Sequence, residues 1–112
     1  MTMLTFGGEE LSNVDGKRSR LNADQIQPLL AQICTKHEWT LVDNHHIEAT
    51  FLFDDFLGAL GFVNSAGAVC EQENHHADFE LGWGRAKVII WTHDVDGLTD
   101  SDFVLAAKIN DV

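Results

Sequence analysis

The stretch IEATFLFDDFLGALGFVNSAGAVCEQE, residues 47–73, carries two hydrophobic periods in succession. In residues 47–53 apolar and polar side chains alternate, which is typical of a half-buried strand. In residues 56–73 apolar side chains recur at the period of a helix, with Asp54 or Asp55 placed to cap its start. A strand followed by a long helix indicates a fold that combines a sheet with packed helices.

The long helix is expected to bury one apolar stripe. Its members recur three or four residues apart: Phe56, Leu60, Val63, Ala66 and Cys70. Three glycines lie on other sides of this helix, and since glycine weakens a helix we expect close backbone packing at one of them.

The remaining elements follow from similar patterns on both sides of this stretch. They are a helix over 22–35, strands over 39–42, 79–83 and 86–93, and a helix from Thr99 to Asn110. Pro28 is expected to delay or bend the first helix. The strand over 86–93 is apolar on both faces and is predicted to be central. The order α-β-β-α-β-β-α predicts an α+β domain, a four-stranded antiparallel sheet with helices packed on one face.

Length and charge narrow the possible functions. The 112 residues suffice for one domain, which we assign to residues 22–112, and residues 1–21 read as a flexible tail. The chain has 18 acidic and 7 basic residues, a formal charge of −11. This charge repels phosphate backbones and anionic lipids, so we expect neither direct nucleic-acid binding nor membrane binding.

The sequence shows neither a membrane-spanning apolar run nor a signal peptide, which predicts a soluble, cytoplasmic protein. Cys34 and Cys70 lack the CxxC spacing and are expected to be reduced thiols in or near the core.

Histidine is over-represented in this chain, with four of its six copies in two adjacent pairs. His75 and His76 follow the long helix, and His93 ends the predicted central strand. Because helix ends and strand ends can meet, these three could form an acid–base pocket with a carboxylate and an indole. The alternative is that they are surface histidines. His45 and His46 fall in a predicted turn, and we expect no role for them.

Other chemistries are poorly supported. No histidine pair has the i, i+4 spacing of a zinc-binding helix, so no metal site is predicted. Ser65 and Cys70 lie inside a predicted helix without a neighbouring base. Asp102 stands three residues after Thr99 at the start of the last helix, where capping explains it as well as a role in the pocket does.

The segment from Glu71 to Asp102 resembles the signature of the pterin-4a-carbinolamine dehydratases. In that signature an acid is followed after three residues by a histidine pair, and then by an aromatic residue, a histidine and an aspartate. The matching positions are Glu71, His75, His76, Trp83, His93 and Asp102. The likeness extends from about Leu21 to Asn110, and its closing part is most similar to bacterial members associated with phenylalanine hydroxylase. Ala77 departs from the proline that usually follows the histidine pair.

The resemblance implies an activity and a set of site residues. The family eliminates water from 4a-hydroxytetrahydrobiopterin to give quinonoid dihydrobiopterin, which recycles the pterin cofactor of aromatic amino-acid hydroxylases. By resemblance the catalytic residues are His75, His76 and His93. The residues implied along the substrate are Asn74, Trp91, Thr92 and Asp94, and those in supporting roles are Glu71, Trp83 and Asp102. Neither a metal nor a cofactor is implied.

The resemblance also implies partners and leaves a second function open. Family members are dimers or tetramers, so we expect a homodimer or homotetramer and a functional link to phenylalanine hydroxylase. Some proteins of this fold are instead non-catalytic binding or assembly factors, including a partner of a homeodomain factor and assembly factors for the carbon-fixing carboxylase. The three retained histidines favour the enzyme, whereas Ala77 favours a drifted relative.

Overall fold

The structure is a computed structural model that describes residues 19–112, and its element order is α-β-β-α-β-β-α. The elements are α1 (Ala23–Ile33), β1 (Thr40–Val42), β2 (His46–Leu52), α2 (Phe56–Glu73), β3 (Asp78–Gly82), β4 (Arg85–Ile90) and α3 (Asp100–Asn110). A 3-10 turn, His93–Val95, lies between β4 and α3. The predicted α+β class and element order are confirmed. No helix in residues 19–112 is long and apolar enough to cross a bilayer.

The four strands form one antiparallel sheet in the order β1-β2-β4-β3. The prediction that β4 is central is confirmed, and its Ala86, Val88 and Ile90 are buried on one face. The other face of β4 is only partly covered, so the expectation of a strand apolar on both faces holds for one face. The strand ends at Ile90 and not at His93, because the chain turns back through a bridge between Thr92 and Gly97.

The hairpin between β1 and β2 turns two residues earlier than predicted. Asp43 and Asn44 both have φ of 54°, and the His45 amide donates to the Val42 carbonyl at 2.8 Å. Two consecutive left-handed residues make the type I′ turn that suits the twist of a hairpin. His45 therefore directly follows the turn, and His46 is the first residue of β2.

Helix α2 begins and ends close to where the sequence predicts. The Asp55 side chain caps it by accepting from the Gly58 amide at 2.8 Å. Its buried residues are Ala59, Phe62, Ala66 and Cys70. Burial was predicted correctly for Ala66 and Cys70. It was predicted wrongly for Phe56, which is 44% exposed. The first turns of the helix are apolar on several sides, so periodicity alone does not select the buried side there.

Of the glycines in α2, Gly58 has the close contact that was expected. An added Cβ there would lie 3.3 Å from the Cβ of Phe53. The other two glycines, Gly61 and Gly67, would meet nothing within 4 Å.

Helix α1 begins at Ala23 in spite of Pro28. Asn22 and Gln25 form a reciprocal capping box, with both hydrogen bonds at 2.9 Å. Pro28 lies inside the helix and is exposed. The predicted delay of this helix is therefore wrong, because the capping box fixes the first turn ahead of the proline.

Ordered contacts begin before the predicted domain boundary at residue 22. The Leu21 amide donates to the Leu98 carbonyl at 2.8 Å, and Arg20 donates to the Asp96 carbonyl at 3.2 Å. These two residues therefore belong with the folded body, whereas residues 1–18 of the predicted tail lie outside the described residues.

The two cysteines should differ sharply in reactivity. Cys70 is 2% exposed and burial raises the pKa of its thiol, whereas Cys34 is exposed. Because the thiolate is the reactive species, iodoacetamide at pH 7 should modify Cys34 and leave Cys70 unmodified until urea unfolds the chain. Mass spectrometry of the digested protein measures both sites. Equal modification of the two thiols in the native protein would contradict this packing.

Candidate active site

A fully buried carboxylate, Asp102, lies at the centre of the candidate site. Its Oδ1 is 2.6 Å from Nε2 of His75. Its Oδ2 accepts hydrogen bonds from the Thr92 hydroxyl at 2.7 Å and from the Thr99 amide at 2.8 Å. A buried charge is tolerated when it is paired and hydrogen-bonded, and these three partners meet that condition. Asp102 therefore caps α3 and also hydrogen-bonds His75, whereas its supporting role in a reaction stays a prediction.

Three local features of the chain bring these partners to one place. Asn74 ends α2 in the left-handed conformation, with φ of 53°, and the His75 amide then bonds to the Cys70 carbonyl at 3.1 Å. Beyond β4, Thr92 and Gly97 pair across a second reversal. The start of α3 supplies the third. The site is thus formed where the end of α2, the end of β4 and the start of α3 meet.

The contact with Asp102 defines what His75 can do chemically. The His75 side chain is 10% exposed, and its Nε2 donates to the carboxylate. This bond leaves Nδ1 to exchange a proton with another group, and the carboxylate stabilises the imidazolium when a proton is gained. This geometry is compatible with an acid–base role for His75, which stays a prediction.

His76 has a carboxylate partner of a different kind. Its Nε2 lies 2.5 Å from Oε2 of Glu71, and both side chains are more than half exposed. A solvent-exposed pair of this type contributes little to stability. The contact directs one nitrogen of the His76 ring toward Glu71.

His93 is exposed and stacks on an indole. The rings of His93 and Trp91 have centroids 4.2 Å apart and are inclined by 20°. Thr92 lies between these two residues and bonds to Asp102, so the stack is connected to His75 through one hydroxyl and one carboxylate. Asp94 follows His93 in the 3-10 turn and is exposed.

Two histidines that the sequence analysis left without a role lie beside this stack. The ring centroid of His45 is 5.3 Å from that of Trp91, and the centroid of His46 is 6.0 Å from it. The pairing of Ile47 with Ile90 explains this position, because it sets the start of β2 beside the end of β4. The sequence pattern predicts two strand pairs but not the pairing of β2 with β4, which joins residues far apart in the chain.

Trp83 is the predicted site residue that the chain does not bring to this group. It is 72% exposed in the turn before β4, whereas Trp91 follows the end of β4. The six residues of β4 separate them and span roughly 20 Å at about 3.3 Å per residue. Its supporting role stays a prediction.

Two groups near the site have raised pKa values. Burial raises the pKa of the Cys70 thiol, and the backbone amide of Ala77 opposes the shift in part. Burial also raises the pKa of Asp100 in the first turn of α3. Proline has no amide hydrogen, so proline at position 77 could not make this contact with the Cys70 thiol. The contact therefore depends on a residue other than proline, here Ala77.

The hydroxyl of Thr92 should matter for stability as well as for the site. Thr92→Val removes a hydrogen bond from the buried Asp102 and should lower the free energy of unfolding by about 1–3 kcal/mol. Thr40→Val, at an exposed position in β1, is the matched control and should change it by less than about 0.5 kcal/mol. Urea unfolding measures both. Equal stability of the two variants would contradict the role given to this bond.

The sequence of this chain is similar to those of known proteins. Residues 19–112 match the family model described as Pterin 4 alpha carbinolamine dehydratase. A relative from Rubrobacter xylanophilus is 44% identical over 90 residues, which cover 80% of this chain and 81% of the relative. A relative from Legionella pneumophila is 42% identical over 105 residues, which cover 94% and 92%. Both relatives are named pterin-4-alpha-carbinolamine dehydratase, as a provisional assignment.

Two solved structures are similar in fold. A crystal structure from Brucella melitensis, described as a transcriptional coactivator/pterin dehydratase, matches with a TM-score of 0.75 and 30% identity, covering 83% of this chain and 97% of that one. A pterin dehydratase-like protein identified as a RuBisCO assembly factor in the alpha-carboxysome matches with a TM-score of 0.58 and 16% identity, covering 67% and 88%. The second likeness shows the fold alone.

Proposed function

The chain belongs to the pterin 4 alpha carbinolamine dehydratase family, and on this basis we propose that it dehydrates 4a-hydroxytetrahydrobiopterin to quinonoid dihydrobiopterin. The observation that carries the proposal is the buried Asp102, which holds His75 on one oxygen and Thr92, the neighbour of His93, on the other. Asp102 thereby links His75 to the segment that carries His93.

The proposed reaction needs two proton transfers and no redox step. The bond between C4a and the hydroxyl oxygen breaks as a proton reaches that oxygen, and water leaves. The proton on N5 is removed, and its electron pair forms the double bond between N5 and C4a. Imidazole accepts or donates a proton near neutral pH, so histidines can serve both transfers.

Each histidine in the proposal has a neighbour that supports its charged form. Asp102 would stabilise the imidazolium of His75, Glu71 that of His76, and the indole of Trp91 that of His93. Residues proposed to line the bound pterin are Asn74, Trp91, Thr92 and Asp94. The indole of Trp91 offers a flat apolar surface suited to a fused ring.

The cellular role follows from the same proposal. A dehydratase of this type would recycle the pterin used by an aromatic amino-acid hydroxylase, with phenylalanine hydroxylase as the expected partner in metabolism. We place it in the cytoplasm, and the two free cysteines, Cys34 and Cys70, fit a reducing compartment.

A non-catalytic binding role is the competing proposal. The Brucella melitensis relative carries a coactivator description beside the dehydratase one. A binding module would have no need for three histidines, each with a carboxylate or an indole as its neighbour, and this chain has all three. The histidine arrangement therefore favours the enzyme.

Replacing the three histidines tests the proposed mechanism. His75→Ala, His76→Ala and His93→Ala should each slow dehydration by about 10²–10⁴-fold, the usual loss when a general acid or base is removed. The rate is followed by the absorbance of the pterin, and circular dichroism checks that each variant folds.

The matched control is His37→Ala. His37 stacks on Phe51 and bonds to the Thr50 carbonyl, away from Trp91 and Thr92 along the sheet. It should leave the rate unchanged. Rates like that of the unmodified protein in all three site variants would contradict the histidine mechanism.

We also propose that the protein is a homodimer or homotetramer. The small residues of α2 divide into two sets: Ala59 and Ala66 are buried in the protomer, whereas Gly61 and Ala68 are exposed on the outer side of the helix. Leu57, on the same helix, is also exposed. Small residues let another surface approach closely, and an exposed apolar side chain gives that surface something to bury, which supports an interface there.

Light scattering at micromolar concentration should give a mass above the 12.5 kDa of one chain. Ala68→Glu should lower that mass with helix content retained, because it puts a charge into the proposed interface. Ala31→Glu, at an exposed position in α1, is the matched control and should leave the mass unchanged. A stable 12.5 kDa species for the unmodified chain would contradict the assembly.

A further inference from the structure

His93 lies in a short loop that is contacted by a residue of another element. This segment, residues 92–97, is named here the His93 loop. Its base is closed by two backbone hydrogen bonds between Thr92 and Gly97, at 2.8 and 3.3 Å. At its far side Asp96 has a left-handed backbone, with φ of 51°. A non-glycine residue in this conformation needs support from its surroundings.

His45 supplies part of that support from another element. Its Nε2 lies 2.8 Å from Oδ1 of Asp96, across 51 residues of sequence. The same ring packs beside Trp91, with centroids 5.3 Å apart, and Trp91 stacks on His93. His45 therefore contacts the residue before the His93 loop and a residue near its end, on both sides of His93.

The His45 ring is itself fixed in direction. It follows the type I′ turn of the β1–β2 hairpin, and its Nδ1 lies 2.9 Å from Nδ1 of His46. His46 in turn has its Nε2 3.3 Å from Oε2 of Glu48. Because both nitrogens of His45 have partners, rotation of the ring would break a hydrogen bond in either direction.

We propose that His45 is a positioning residue that holds His93 in place through Asp96 and Trp91. The inference rests on the proposed dehydratase function, in which His93 exchanges a proton with the pterin. Small displacements of a catalytic group lower the rate strongly, so a fixed His93 loop would favour turnover. The residue that the sequence analysis expected to have no role therefore acts on the reaction without touching the reacting atoms.

Substitutions of His45 distinguish its contact with Asp96 from its contact with Trp91. His45→Ala removes both and should lower kcat about tenfold, with KM changed by less than about twofold, since positioning acts on the chemical step. His45→Phe keeps a ring against Trp91, and His45→Gln keeps a donor for Asp96, so each should lose less than His45→Ala.

The control is His37→Gln, which changes a histidine that also stacks on an aromatic ring but lies against Phe51 and Thr50. It should leave kcat unchanged. A His45→Ala protein with kcat within twofold of the unmodified protein would overturn the proposal. Equal losses of kcat in the alanine, phenylalanine and glutamine variants would also overturn it, because keeping either contact would then restore no activity.

Amide hydrogen exchange gives a readout independent of turnover. The amides of Val95, Asp96 and Gly97 are hydrogen-bonded inside the His93 loop. Their exchange should be about tenfold faster in His45→Ala and unchanged in His37→Gln, because opening of the loop becomes easier. A fall in kcat without faster exchange would also overturn the proposal, since His45 would then act on the substrate directly.

Exchange also separates this inference from the proposed function. If the unmodified protein had no dehydratase activity, the proposed function would fail, and faster exchange in His45→Ala would still show that His45 holds the loop. Unchanged exchange in a folded His45→Ala protein would overturn the inference whether or not the protein is an enzyme.

Discussion

A carboxylate without solvent contact has to find hydrogen-bond donors within the protein, and Asp102 finds them on three different elements. Leaving such a group unpaired costs several kcal/mol, on the order of the whole stability of a small domain. The end of α2, the end of β4 and the start of α3 must therefore meet at Asp102. The candidate site is a consequence of that requirement.

The same carboxylate connects stability with chemistry. Its Oδ2 completes the start of α3 through the Thr99 amide, and its Oδ1 orients His75. Capping requires an oxygen near the first amides of the helix but does not require burial, so the capping role alone does not explain why Asp102 is buried. Burial strengthens the electrostatic support that Asp102 gives to an imidazolium, because water is excluded from its surroundings. In this protein the interaction that stabilises the fold also orients the histidine proposed as an acid–base group.

Local sequence patterns predicted most of the helices and strands. The features that they did not predict depend on contacts between elements that are far apart in sequence. The cap of α2 could be predicted as Asp54 or Asp55 because a cap depends on neighbouring residues alone. The burial of Phe56 was predicted wrongly, because an apolar segment offers several faces and packing against the sheet chooses among them. The position of His45 beside Trp91 depends on the pairing of β2 with β4, which joins residues far apart in sequence. Trp83 fits a family spacing in the chain but lies at the opposite end of β4 from Thr92, a distance that spacing does not convey.

The most direct test of the account is the rate at which the purified protein converts 4a-hydroxytetrahydrobiopterin to quinonoid dihydrobiopterin near pH 7, compared with the spontaneous rate in the same buffer. If His75, His76 and His93 form an acid–base site as proposed, the protein will accelerate the loss of water at catalytic concentrations with repeated turnover. A folded protein that leaves the spontaneous rate unchanged would contradict the account and would favour a binding role for this fold.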